Sequence, residues 1–121
     1  MHYIIHEEGS GPKPEYNDVV DVHYKGYLLD GTVFDTSYEE IARESGVYRE
    51  GRQYAPYPLP LRPGGAIDGW VEGIGYFNEG TKATMIVPSV LAYGPADGGV
   101  FGPNSVLAFD VEIVKVTPSQ Q

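Results

Sequence analysis

Cysteine is missing from this 121-residue sequence. Its absence excludes disulfide bonds, a thiolate nucleophile and any zinc or iron–sulfur site with cysteine ligands. Histidine is scarce as well, and His2, His6 and His23 have no metal-like spacing with neighbouring carboxylates. We therefore expect no bound metal.

Basic residues are also few, with 8 lysines and arginines against 17 aspartates and glutamates. The formal net charge of −9 gives a field that repels phosphate backbones and anionic lipid surfaces. Nucleic acid is therefore not an expected partner.

Long apolar runs are the third absence. No run approaches the roughly 20 residues of a membrane span, so no membrane insertion is expected. The N-terminal residues 1–5 lack the basic-then-apolar form of a signal peptide. We expect a cytoplasmic location for the chain as it stands, and the cell envelope if it is an excised domain.

Glycine and proline, by contrast, are abundant, at 16 and 10 residues. This composition favours short strands, many turns and little helix. The chain length suits a single hydrophobic core. We expect one domain over residues 1–121, present as a monomer.

Alternating apolar and polar residues predict the strands of a β-sheet. The alternation begins at Val20, recurs over residues 82–87, and is longest over 106–116, where it predicts a central strand. Shorter strands are predicted at residues 3–6 and 33–35. Because strands outnumber helices and no βαβ pattern appears, the expected fold class is α+β with an antiparallel sheet.

A short surface helix is predicted after the strand at 33–35. Ser37 and Glu40 form the pattern of a capping box, and Gly46 is placed to end the helix. The following residues, 48–63, contain four prolines and should be irregular or form an edge of the sheet.

A second helix is predicted over residues 68–77, with Asp68 as its cap. Trp70, Ile74 and Phe77 lie at helical spacing. Its internal glycines each cost about 1 kcal/mol relative to alanine. Burial of Trp70 against the sheet must therefore hold this core helix.

Five segments, in this order along the chain, resemble successive motifs of the FKBP-type prolyl isomerases: residues 22–26, 30–37, 67–73, 91–94 and 109–112. The resemblance covers most of the chain and is closer to the bacterial Mip-like branch of the family. Residues 38–55 cannot be aligned individually with the shorter connection of compact members. We interpret them as an inserted helix and loop.

The resemblance implies a curved antiparallel sheet wrapped over one short core helix, with a shallow proline pocket between them. The residues it implies for substrate binding are Tyr24, Phe34, Tyr57, Ala66, Ile67, Trp70, Val100, Phe101 and Phe109. Trp70 is the floor of this pocket, and Val100 and Phe101 form the apolar tip of a flap. Tyr54 competes with Tyr57 for one wall, and Ala66 replaces a larger aliphatic residue.

Asp35 and Tyr93 are the positions to which the resemblance assigns catalytic contacts. The Tyr93 hydroxyl and the Ile67 backbone N–H are implied to hydrogen-bond carbonyls of the bound peptide. Asp35 either polarises the imide region or orients tyrosine hydroxyls. Taken singly, Asp35 would be read as a turn residue and Tyr93 as an aromatic residue of a loop.

The activity implied is rotation about X-Pro bonds in peptides and folding proteins, in an apolar pocket that removes water from the imide. No bond is made or broken, so no cofactor is expected. Macrolide inhibitors are further expected ligands of the same pocket.

Two alternatives remain open from the sequence. A non-catalytic proline-peptide-binding or chaperone module would keep the pocket without turnover, and Ala66 and the insertion favour it. A purely structural domain would leave Trp70 inaccessible and Tyr93 turned away from any cavity.

Overall fold

The computed structural model describes residues 1–96 and 101–119. Six antiparallel strands form one sheet in the order β1-β5-β6-β2-β3, with β4 also paired to β2. The strands are β1 (His2–Glu7), β2 (Val19–Leu28), β3 (Val33–Thr36), β4 (Tyr57–Pro60), β5 (Lys82–Val87) and β6 (Leu107–Thr117). The helices are α1 (Glu39–Glu44) and α2 (Asp68–Ile74), with a 3₁₀ turn at Ser89–Leu91. The predicted α+β fold with an antiparallel sheet is confirmed.

The central strands are β6 and β2, as the alternation predicted for β6. Leu107, Phe109, Val111 and Ile113 of β6 are buried on one face. The buried residues of β2 follow the same period of two and pair with β6 along the whole strand. Alternation therefore places one face of each strand in the core.

The helix α2 packs against this buried face through its glycines. A Cβ at Gly69 would overlap Val87 Cγ1 of β5, and one at Gly73 would crowd the Met85 sulfur. Trp70 and Ile74 are buried in the same core cluster. The glycines that weaken the helix thus allow it to approach the sheet closely.

The bounds predicted for α2 were partly wrong. Asp68 lies in the first turn, and Ile67 holds the N-cap position without a side-chain cap. The helix ends at Ile74 and does not reach Phe77, whose N–H bonds the Ile74 carbonyl in a turn. Phe77 is nevertheless buried. Its spacing from Trp70 and Ile74 therefore indicated a buried position, but not that the helix extends to it.

The predicted capping box of α1 was also wrong. Ser37 turns toward β2, where its hydroxyl accepts the Tyr24 N–H at 2.7 Å and lies 2.8 Å from His23 Nδ1. The helix begins at Glu39 without a side-chain cap. Its end is as predicted, since Gly46 follows it with a φ of +74°.

The proline-rich residues 48–63 form an edge, as predicted. Their one strand, β4, pairs with the first half of β2. This pairing sets Tyr57 opposite Val22. Residues 45–56, which precede β4, form neither helix nor strand. In the described ranges 1–96 and 101–119, neither helix has the length or apolar character needed to cross a bilayer.

Candidate functional site

A cavity of about 340 Å³ opens where four strands meet α2 and the turn after Leu91. Its lining residues are Tyr24, Phe34, Asp35, Tyr57, Ala66, Ile67, Trp70, Tyr93 and Phe109. The structure thus brings together nine of the eleven site residues expected from the sequence. The other two are Phe101, which borders the cavity, and Val100, which lies outside the described residues.

Trp70 of α2 is almost fully enclosed, with 4% of its surface exposed. The rings of Tyr24, Phe109 and Tyr57 meet it edge to face, at centroid distances of 5.0, 5.5 and 6.0 Å. Within the described part of the chain its Nε1 has no hydrogen-bond partner. Ring packing, rather than a hydrogen bond, therefore fixes the indole.

A second group of aromatic rings is joined to the first through Phe109. Phe34 contacts Phe109 at 5.7 Å and Phe101 at 5.2 Å, both edge to face. Phe101 in turn stacks on Tyr93 at 5.2 Å. Phe101 therefore packs against two rings that line the cavity. The flap residues 97–99, with Val100, lie outside the described residues.

One wall is polar and centres on the Asp35 carboxylate. The Tyr24 hydroxyl donates to its Oδ2 at 2.7 Å, and the Thr36 N–H donates to its Oδ1 at 2.8 Å. Arg52 donates from Nη1 to the same Oδ1 at 2.7 Å and from Nη2 to the Tyr24 hydroxyl at 3.2 Å. Both carboxylate oxygens are occupied, which fixes the orientation of Asp35 and Tyr24.

Arg52 is the residue of this site that sequence reasoning missed. It lies in the 38–55 segment, where no periodicity defines which side chains turn inward. Its only signal was charge, because an arginine is a common partner for a partly buried carboxylate. Three other arginines in the chain, Arg43, Arg49 and Arg62, offered the same signal.

Two tyrosine hydroxyls of the site, those of Tyr24 and Tyr93, have a raised pKa. Burial first, then the hydrogen bond to Asp35 and its charge, raise the pKa of Tyr24 well above its ordinary value. Burial first, then the negative charge of Asp35, raise the pKa of Tyr93. At neutral pH both groups are hydrogen-bond donors. Tyr24 donates a hydrogen bond to Asp35, whereas Tyr93 lines the cavity with nearly half of its surface exposed.

Of the two tyrosines considered for one wall of the pocket, the structure places Tyr57 at the cavity and Tyr54 away from its lining. Tyr57 lines the cavity and donates its hydroxyl to the Gly65 carbonyl at 2.7 Å. Tyr54 stacks on Tyr48 instead, with centroids 5.6 Å apart. Ala66 lines the cavity beside Tyr57, with only a methyl group to offer.

The chemistry available here is that of an apolar cleft with one fixed carboxylate and tyrosine donors. Tyr93 reaches the cavity and Trp70 forms part of its lining, which are not the features expected of a purely structural domain. Across residues 1–96 and 101–119, no three histidine, aspartate or glutamate side chains are grouped to hold a metal.

Comparison with known proteins gives consistent matches. Residues 11–114 match the family described as FKBP-type peptidyl-prolyl cis-trans isomerase. The FKBP-type peptidyl-prolyl cis-trans isomerase FkpA of Escherichia coli K12 is 39% identical over 117 residues, covering 97% of this chain and 38% of FkpA. The outer membrane protein MIP of Legionella longbeachae is 34% identical over 117 residues, covering 96% and 44%.

A solved structure extends this match to the fold. The crystal structure of Escherichia coli FkpA superposes with a TM-score of 0.75 at 36% identity, covering 98% of this chain and 48% of that one. The chain spans less than half the length of these relatives. The similarity to the bacterial Mip-like branch expected from the motifs is confirmed. The chain belongs to the FKBP-type peptidyl-prolyl cis-trans isomerase family.

Proposed function

We propose that this chain is a peptidyl-prolyl cis/trans isomerase that acts on X-Pro bonds in peptides and folding proteins. Its family membership supports the reaction class. The observation that carries the proposal is the aromatic cavity with Trp70 enclosed among three other rings. Such a cavity suits a proline ring, which is apolar and compact.

The reaction needs an environment that favours the twisted imide. A planar amide resists rotation by roughly 18–20 kcal/mol because twisting removes its resonance. The twisted form has less charge separation than the planar form, so transfer from water to an apolar cleft favours the transition state. Tyr24, Phe34 and Phe109 exclude water around the bond, and Trp70 carries the proline ring.

Hydrogen bonds hold the peptide in register. The Tyr93 hydroxyl and the Ile67 N–H donate to carbonyls that flank the proline. Asp35 acts by orienting the Tyr24 hydroxyl, an assignment supported by the 2.7 Å bond between them. No covalent bond changes in this reaction, so the mechanism uses no nucleophile, metal or cofactor.

The proposed substrates are proline-containing peptides and unfolded proteins, for which X-Pro isomerisation takes tens to hundreds of seconds uncatalysed. Macrolide inhibitors are proposed as competing ligands of the same cavity. We further propose that residues 1–121 act as one monomeric domain, with 38–55 as an inserted helix and loop. The small Ala66 side chain leaves room for a wider ligand beside Tyr57.

A refolding assay limited by proline isomerisation tests this function. The wild-type chain should accelerate the slow phase, and Tyr93→Phe should reduce that acceleration by about threefold, the effect of one hydrogen bond. Tyr16→Phe is the matched control, because Tyr16 is 68% exposed and does not line the cavity.

Two outcomes contradict the proposal. If the folded wild-type chain leaves the slow phase unchanged but binds a proline peptide, it is a non-catalytic binding module. If it neither binds nor accelerates, the cavity has no role in proline recognition. Full activity in Tyr93→Phe would remove the hydroxyl contact alone.

A further inference from the structure

Four side chains of the 38–55 segment form a stack, with an arginine at each end and two tyrosines between them, that ends at the cavity wall. The Arg43 guanidinium lies 3.8 Å from the centre of the Tyr48 ring. Tyr48 stacks on Tyr54 at 5.6 Å with an angle of 14° between the rings. The Arg52 guanidinium lies 4.8 Å from the Tyr54 ring. We call Arg43, Tyr48, Tyr54 and Arg52 the Arg–Tyr stack.

One end of the Arg–Tyr stack is anchored on α1. Arg43 belongs to the last turn of this helix and pairs with Glu39 one turn earlier, at 3.4 Å. Ala42 beside it is fully buried, so the helix is docked on the fold. Residues 45–56, all of them described, have no regular secondary structure. The stack therefore supplies order that a strand or helix would otherwise give.

Tyr54 is the member of this stack that contacts Arg52. Its ring contacts both Tyr48 and Arg52, and its hydroxyl accepts the Arg49 N–H at 3.0 Å. A loop of this length without such contacts would sample many backbone states. Tyr54 thus links the Arg52 guanidinium to the Tyr48 ring and to the loop backbone.

The other end of the stack reaches the polar wall. Arg52 does not line the cavity, but it bonds both Asp35 and the Tyr24 hydroxyl, which do. Its side chain is 28% exposed and that of Asp35 36% exposed. An ion pair this open to solvent gains little by itself, because two flexible side chains must be held in one geometry. A stacked guanidinium has already lost that freedom.

We propose that Tyr54 is a positioning residue of the isomerase site, which acts by holding Arg52 against Asp35 and Tyr24. This inference rests on the proposed isomerase function. It gives the 38–55 segment a role in the site, because α1 and the Arg–Tyr stack brace the polar wall of the cavity from outside. Loss of the Tyr54 ring releases Arg52, and the Asp35 carboxylate and Tyr24 hydroxyl then lose their fixed orientation.

The test compares Tyr54→Leu with Tyr54→Phe in an assay on an X-Pro peptide. Tyr54→Leu should lower kcat/KM by about threefold, the size of one exposed cation–π contact. Tyr54→Phe keeps the ring and should retain most of kcat/KM. Tyr16→Leu, at a tyrosine that is 68% exposed and remote from the cavity lining, is the matched control and should leave kcat/KM unchanged.

A double-mutant cycle separates positioning from a merely structural role. In an Arg52→Gln background, Tyr54→Leu should lower kcat/KM no further, because the side chain it positions is already gone. An equal loss in both backgrounds would overturn the proposal. Unchanged kcat/KM in Tyr54→Leu, or in Arg52→Gln, would overturn it as well.

The Arg52 guanidinium signal in a ¹⁵N-resolved NMR spectrum tests the same idea without turnover. In the wild-type chain this signal should be shifted and protected from exchange, and Tyr54→Leu should move it to the range of exposed arginines. If the wild-type chain proves inactive, the isomerase function fails, and this spectrum still decides whether Tyr54 holds Arg52. An Arg52 signal that Tyr54→Leu leaves unchanged overturns the proposal.

Discussion

Trp70 serves both the stability of the core and the shape of the cavity. Its ring is buried among aromatic neighbours, and its Nε1 makes no hydrogen bond within the described residues. A buried donor without a partner is unfavourable by about 1–3 kcal/mol. The value of tryptophan here therefore lies in the area and shape of its ring.

Substitutions at Trp70 should show this distinction. Trp70→Ala should lower the free energy of unfolding by about 3–5 kcal/mol because it leaves a large cavity. Trp70→Phe should lower it less, since a ring remains and no hydrogen bond is lost. Urea unfolding measures both, and equal losses in the two variants would contradict this account. Isomerase activity should fall in both, because the proline ring loses its floor.

Individual site residues differ in how far the sequence alone could reveal them. Trp70 and Phe109 stand in motifs whose resemblance to the FKBP family implied a common pocket, and the structure brings them together. Arg52 gave no such signal, because the backbone path of an irregular segment depends on contacts between side chains. The choice of Tyr57 over Tyr54 likewise depended on the pairing of β4 with β2, which no local pattern defines.

At the scale of elements, α2 shows why local propensity and tertiary packing differ. Its glycines are poor helix formers, yet Gly69 lies where a side chain would overlap Val87. Gly75 at the end of the helix has a φ of −62°, and a Cβ there would meet no atom closer than 3.4 Å. Substitution by alanine is therefore expected to change the stability in opposite directions at the two positions.

Alanine substitutions test this difference directly. Gly69→Ala should destabilise the protein by about 1–3 kcal/mol through overpacking. Gly75→Ala is the matched control and should stabilise it by about 0.4–1 kcal/mol, since the unfolded chain loses freedom and the native backbone already suits alanine. Thermal unfolding of both variants gives the two signs. A stabilising Gly69→Ala would show that α2 does not lie this close to β5.

The elements were largely predictable where a period was long. The alternation over β2, β5 and β6 predicted all three strands, because each buries one face. Helix ends were less predictable, since a capping pattern is local and its donor can have a better partner elsewhere. Ser37 is the example, because its hydroxyl accepts a hydrogen bond from the Tyr24 N–H on β2 and does not cap the helix that follows it.

At the scale of the whole molecule, tyrosine ionisation limits stability at high pH. Tyr27 donates its hydroxyl to Asp110 at 2.8 Å. Burial first, then this hydrogen bond and the charge of Asp110, raise the pKa of Tyr27 to about 12, from an ordinary value of 10.0. The folded chain thus holds this proton more tightly than the unfolded chain does.

The sign of the pH effect follows from linkage. The contribution of Tyr27 is fully present below pH 10.0 and is lost as the pH rises from there to about 12. Tyr27→Phe should therefore be less stable than the wild type by a constant amount below that range. The difference should shrink as the pH rises through that range, in urea unfolding at a series of pH values. A stability difference between the wild type and Tyr27→Phe that stays constant up to pH 12 would contradict the raised pKa of Tyr27.

The overall arrangement of strands lay beyond what alternation alone can predict. β1 pairs with β5, some 80 residues away, and β6 inserts between β5 and β2. Such long-range pairing is chosen by the burial of the whole apolar face, and not by any local signal. The resemblance supplied a sheet wrapped over a helix, and the antiparallel sheet with few helices agrees with it.

The most direct test of the central claim is NMR exchange spectroscopy on an unstructured peptide with one X-Pro bond. A catalytic amount of the protein should produce exchange cross-peaks between the cis and trans forms, which interconvert too slowly alone. In the labelled protein, peptide-induced shift changes should concentrate at the residues lining the Trp70 cavity. Shift changes there without exchange cross-peaks, or exchange with shift changes elsewhere, would contradict the account.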